Sequence, residues 1–172
     1  DLDHRMEYFD PKTRPSAIFL DDVALLSAPP DLVRSTSTTV FASVVGSQSN
    51  TGLNVLAQGD QDTAFRLGHG AYLRLMDELD NPELRQHLAL AAFLQNRAED
   101  DGRRRFHTNA FAGNYSVSTA LHIRYPHVGQ GESTSVVHAS AMRLAADVEL
   151  KPARQVAEAL GVWRDGMDGK TA

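Results

Sequence analysis

The chain has 172 residues, of which 42% are hydrophobic, 7% aromatic and 23% charged, enough to bury one core and no more than one domain. Its 17 Lys+Arg against 22 Asp+Glu give a formal net charge of -5, which argues against a nucleic-acid binder that gains affinity by neutralising phosphates. The absence of cysteine excludes a disulfide scaffold, a zinc finger, an iron-sulfur cluster and any thiolate nucleophile.

No apolar run approaches the roughly 20 residues that a membrane-spanning helix needs, and Asp1-Leu2-Asp3-His4-Arg5 lacks the basic start and apolar stretch of a leader. The expectation is a soluble, cytoplasmic protein without a membrane partner, and a start at Asp1 fits a fragment or a processed product. Residues 1–16 are polar and broken by Pro11 and Pro15, so they read as an irregular arm ahead of a helical domain over 17–172.

The first ordered signal is Ala17-Ile18-Phe19-Leu20, a continuously apolar run closed by Asp21-Asp22, which predicts a short buried strand. Pro29-Pro30 then blocks helical continuation from the preceding turn, while Pro30 suits the first turn of the next helix, where a missing N–H costs little. Val40, Phe41, Val44 and Val45 form one stripe of that helix, although Ser35-Thr36-Ser37-Thr38-Thr39 has weak helical propensity and must be held by packing. Residues 47–52 read as a loop or a frayed end.

Phe65, Tyr72, Leu75, Met76 and Leu79 predict a second amphipathic helix, and Asn81-Pro82 opens a third carrying Leu84, Leu88, Ala91 and Ala92. Glu99-Asp100-Asp101-Gly102-Arg103-Arg104-Arg105 carries both signs in succession and reads as a solvated bend rather than a phosphate site. Val117, Leu121 and Ile123 mark a further helix, and Gly129-Gln130-Gly131-Glu132 leads into another through Val136, Val137, Ala141 and Leu144. The last helix runs from a first-turn Pro152 through Val156 and Leu160 to a stop at Gly161. The fold class expected is mainly α, a helical bundle with one short strand near its N-terminus.

Seven histidines invite a metal site, but none are spaced i, i+3 or i+4, and His122 and His127 stand five apart across Pro126. His69, His87 and His138 fall singly on helices and read as structural or exposed. Gly129-Gln130-Gly131 before a helix has backbone N–H groups for an anion, yet Glu132 in the same turn serves the helix dipole equally well. No Gly-x-Ser-x-Gly elbow is present, which argues against an α/β-hydrolase.

The order Ala17-Ile18-Phe19-Leu20-Asp21-Asp22, Leu25-Leu26, Pro29-Pro30-Asp31-Leu32 and Thr36 resembles the start of the C-terminal helical domain in the iron-containing alcohol dehydrogenase family, the dehydroquinate synthase-like superfamily. Tyr115-Ser116-Val117-Ser118-Thr119-Ala120-Leu121, then Tyr125 and Gly129-Gln130-Gly131, are similar to that family's His-Ala-Leu-x-His-x-Leu helix and Pro-His-Gly loop. The resemblance spans roughly Ala17 to Leu160 in element order, and its first segment aligns without adjustment. The family's metal ligands fall on Thr39, Ser43, Tyr115, Thr119 and Gln130, where neutral hydroxyls and an amide supply neither the charge nor the basicity of carboxylate and imidazole. The resemblance therefore implies a copy that binds no metal.

It also implies a missing nucleotide-binding half, so this chain forms one wall of a cleft that holds NAD or NADP mainly through a part outside it. The function expected is an NAD(P)-dependent, alcohol dehydrogenase-like oxidation of a hydroxyl on a small molecule or peptide. Tyr115, Thr119 and His122 are the catalytic candidates, as proton donor or relay, and Thr39, Ser43 and Gln130 the cofactor-binding ones. Expected partners are the nucleotide-binding half, or a subunit that carries it, and further copies of the chain. The alternative is a degenerate, inactive homologue that stabilises a partner. A stand-alone helical binding module ranks below both.

Overall fold

A computed structural model describes residues 14–50, 52–102, 113–146, 150–168 and 171. Asp21 turns the chain into its first helix: its backbone is extended and its carboxylate accepts the Ala24 N–H at 2.8 Å, pairing one of the donors that a helix start leaves open. Seven helices follow among the described residues: α1 (Asp22–Leu26), α2 (Pro30–Ser47), α3 (Val55–Leu75), α4 (Pro82–Gly102), α5 (Gly113–Arg124), α6 (Gln130–Ala146) and α7 (Leu150–Ala159).

Pro30 is the first residue of α2, as its fixed φ predicts. The Ser/Thr run behind it is accommodated because Ser37 and Thr38 each donate to the Arg34 carbonyl at 2.9 Å, and Ser47 to Val44 at the same distance. Asn54 caps α3 by accepting from the Leu56 and Ala57 N–H groups at 3.0 Å, and Asn81 does the same at α4 for Glu83. Helix α7 ends where Gly161 takes φ +72. There the Gly161 N–H donates to Glu158 at 3.0 Å and the Val162 N–H to Ala157 at 2.9 Å, the paired bonds that close a helix around a left-handed residue.

Helices α3 and α4 form a hairpin, and one face of α2 lies on it. Val44, Ala64, Ala91 and Leu94 make one buried cluster and Ala71, Leu75, Leu84 and Leu88 the next, with Val40 packed against both. The opposite face of α2 meets α6 and α7, and α5 packs on α6; Ala145, Ala153 and Met142 join α6 to α7. Arg85 is 95% removed from solvent and donates to the carbonyls of Leu79 (2.9 Å), Leu25 (2.6 Å) and Ala28 (3.2 Å), which ties the α1–α2 connection to α4.

Three expectations need correction. No strand forms over 17–20, and none exists among the described residues: the segment is extended, with Phe19 90% exposed, because a strand needs a ladder partner and none is at hand. Leu79 lies beyond α3, in the turn to α4. Glu99, Asp100 and Asp101 continue α4 instead of forming a bend. Their acidity at a helix C-terminus is unfavourable and is offset by Arg14, which pairs with Asp100 at 3.2 Å and Asp101 at 2.7 Å. The three arginines of that run lie outside the described residues, as does most of the N-terminal arm. No described helix is long and apolar enough to cross a membrane.

The α2–α6 crossing is tight at Gly131, where a Cβ would stand 1.9 Å from the Ser35 carbonyl oxygen. Gly131→Ala is expected to cost about 3 kcal/mol or more, because backbone must move to admit the methyl group. Gly59→Ala, on α3 with open space around it, should instead gain about 0.5–1 kcal/mol. Urea unfolding of both variants checks the pair.

Candidate functional site

The six candidate residues lie on α2, α5 and α6, and the α2–α6 contact sets the frame. Ser35 of α2 accepts the Gly131 N–H at 3.1 Å and donates to Glu132 Oε2 at 2.9 Å, so a hydroxyl from another helix caps the α6 N-terminus. Gly129 leaves the space that this carboxylate needs, since a Cβ there would lie 2.1 Å from Glu132 Oε2. The two glycines thus serve a close crossing, and the Glu132 carboxylate folds over the end that an anion would seek.

From Ser35, one turn along the same face of α2 brings Thr39, and another brings Ser43, both half-buried. Gln130 is the half-buried first residue of α6, and its carbonyl accepts from Ser133 at 2.9 Å. On α5, Tyr115, Thr119 and His122 follow at i, i+4 and i+7 and therefore share one stripe. Tyr115 is 41% exposed at its outer end, and Thr119 and His122 are half-buried. The fold gathers the six residues onto three helices that meet at α6. Among the described residues it links no two of them by a hydrogen bond.

Their polar atoms differ sharply from those of neighbouring serines. Ser118 donates to Tyr115 at 3.1 Å, and Ser133 and Ser37 likewise bond a carbonyl of their own helix. Among the described residues Thr39 Oγ1, Thr119 Oγ1 and His122 Nε2 are buried and find no hydrogen-bond partner, as do Gln48 Nε2, Gln155 Oε1 and Trp163 Nε1. Each such atom costs about 1–3 kcal/mol of desolvation that no described residue returns.

His127 stands in the turn after α5, its ring edge-on to Tyr125 at 6.2 Å. Among the described residues no three His, Asp or Glu side chains gather as a metal-holding group.

The remaining histidines divide by environment. His69 stacks between Phe65 (5.2 Å) and Phe41 (6.0 Å), which clasps α2 to α3. His87 lies 3.9 Å from Glu83, one turn earlier on α4. His138, read from the sequence as structural or exposed, is half-buried on α6. It shares the α6 face of Gly131, Thr134, Met142 and Ala145, which the 3.6-residue period would have shown, and burial holds its pKa below the ordinary histidine value. A small cleft of about 210 Å³ lies where α2 ends, lined by Ser47, Asn50, Leu53, Gln61, Gln95 and Glu99. Buried Gln61 there accepts from Asn50 at 3.2 Å.

Comparison with protein families, with curated proteins and with solved structures returns no match.

Two measurements follow from these environments. Thr39→Val and Thr119→Val keep the shape and remove the unpaired hydroxyl, so each should raise stability by about 1 kcal/mol in urea unfolding. His138 has a native pKa below its unfolded one, so on acidification the native state binds fewer protons than the unfolded chain. Stability is therefore full above the ordinary value of 6.5 and declines from there down to the native pKa. Between about pH 7.5 and 5.5 the wild type should lose more stability than His138→Gln.

Proposed function

We propose that this chain is the helical half of an NAD(P)-dependent, alcohol dehydrogenase-like oxidoreductase that acts on a hydroxyl group without a metal. The observation that carries the reading is that Thr39 Oγ1, Thr119 Oγ1 and His122 Nε2, at three of the candidate positions, are unpaired among the described residues; the other such atoms, on Gln48, Gln155 and Trp163, lie outside the candidate positions. Buried polar atoms in a folded chain find partners, and where the protein offers none a ligand or ordered water is the usual one. Element order adds support: an extended apolar lead, a helix opened by Pro30 and a helix opened between Gly129 and Gly131 follow the sequence of parts in that family's helical domain.

The donor set does not fit the family's divalent metal, because Thr39, Ser43, Tyr115, Thr119 and Gln130 bring no carboxylate or imidazole. It does fit a group recognised by hydrogen bonds. Thr39, Ser43 and Gln130 suit the amide and hydroxyl groups of a dinucleotide, most of which a separate nucleotide-binding half or subunit would hold. The nicotinamide, when bound, accepts hydride. The chain's own task is then to orient the substrate hydroxyl and receive its proton, with His122 as the candidate acceptor.

A second reading, an inactive homologue that binds or stabilises a partner, draws on Ile18, Phe19 and Val23, which are 46%, 90% and 78% exposed. Trp163 is the single tryptophan and gives a donor for energy transfer to bound NADH. In chelator, titration of this chain and of the longest natural polypeptide or complex containing it should give saturable transfer in the longer species. Saturation that survives chelation meets the expectation, and its absence from both species overturns the dehydrogenase reading in favour of the partner protein.

A further inference from the structure

The buried stripe of α3 is Ala57, Gln61, Ala64, Gly68, Ala71 and Leu75, and Gln61 is the one polar side chain in it. It is 2% exposed, at a position where the helical period calls for an apolar residue. Gln61 Oε1 accepts from Asn50 at 3.2 Å, which ties the turn after α2 to α3. Among the described residues its Nε2 finds no acceptor, although Gln61 lines the cleft of about 210 Å³ where α2 ends against α3 and α4. An apolar side chain at 61 would spare the chain the desolvation of an unused donor, so the amide has a use beyond Asn50.

The opposite wall supplies the matching group. Gln95 of α4 donates through Nε2 to Glu99 Oε1 at 3.3 Å, and among the described residues its own carbonyl oxygen finds no donor. One unused amide donor and one unused amide acceptor therefore line a single space, beside the Glu99 carboxylate and the apolar surfaces of Leu53 and Ala98. We propose that this cleft binds the head of a primary carboxamide, either a free small amide or the side chain of an asparagine or glutamine on a peptide. Its carbonyl oxygen accepts from Gln61 Nε2, its N–H group donates to Gln95 Oε1, and its flat faces lie on Leu53 and Ala98. The cleft is open on one side, so the head enters and the rest of the ligand stays in solvent.

Other head groups fit less well. A carboxylate has nothing to donate to Gln95 and is repelled by Glu99, and an ammonium has nothing to accept from Gln61. A hydroxyl meets both amides but leaves the apolar walls uncovered. A side-chain amide that turns about its last bond exchanges donor for acceptor, and only a ligand that carries both is served in either orientation.

The test is titration of the full chain with acetamide, followed through the side-chain amide protons of Gln61 and Gln95 by NMR. Both sets should shift together and saturate in the millimolar range, as suits so small a ligand. Sodium acetate, with sodium chloride as its salt control, should leave them in place. Gln61→Met and Gln95→Met should each weaken binding about tenfold, with backbone amide spectra reporting whether each variant is folded. If the buried Gln61→Met does not fold, the half-buried Gln95→Met decides. Shifts that never saturate, equal shifts with acetate, or an unchanged affinity in folded Gln95→Met overturn the site. An end-blocked peptide with one glutamine separates the sources: binding tighter than that of acetamide assigns the head to a peptide side chain, and equal or weaker binding to a free amide.

Discussion

Helix α6 crosses α2 at a distance that only a residue without a side chain allows, and the second layer of the molecule is built outward from that point. A hydrogen atom at Gly131 faces the Ser35 carbonyl, where a Cβ would come within 1.9 Å of its oxygen, and the Ser35 hydroxyl takes the place of a capping side chain at the α6 N-terminus. One hydroxyl therefore does two jobs, accepting from Gly131 and donating to Glu132, and both depend on the close approach. Since α5 packs on α6, the position of Thr119 and His122 relative to the hairpin layer is inherited from this crossing.

The hairpin layer is held differently. Its seam is apolar and small, with Ala64, Ala71 and Ala91 letting α2 settle onto α3 and α4 around Val40 and Val44. Arg85 complements this by holding three carbonyls around one buried cation, which fixes where α1 ends and therefore where Pro30 starts α2. A charge buried without a carboxylate is costly, but a guanidinium aimed at carbonyl oxygens recovers much of that cost through charge-assisted bonds. The two layers meet on α2, whose one face is aliphatic and whose other is small and polar.

Much of this was legible in the sequence, because it follows from local rules. Pro30, Asn81-Pro82 and Gly161 mark helix ends through φ and missing donors, and the structure places them there. Asn54 also caps a helix, but Val55 and Leu56 after it are 87% and 83% exposed, so no buried apolar face begins at that cap. The run at 17–20 misled for the opposite reason: its composition describes a strand, while a strand is a property of two segments and only one is present among the described residues. The acidic end of α4 was misplaced because its stabilising partner, Arg14, is far away in sequence.

How the candidate side chains are paired was opaque in the sequence. A helical Ser or Thr looks the same in sequence whether its hydroxyl turns back to the preceding carbonyl or points unpaired into a seam. Ser37, Ser118 and Ser133 took the first course, Thr39 and Thr119 the second, and only packing decides between them. That choice has an energetic meaning. Leaving Thr39 and Thr119 unpaired among the described residues costs about 1–3 kcal/mol each, which the packing of α2 and α5 on α6 must outweigh.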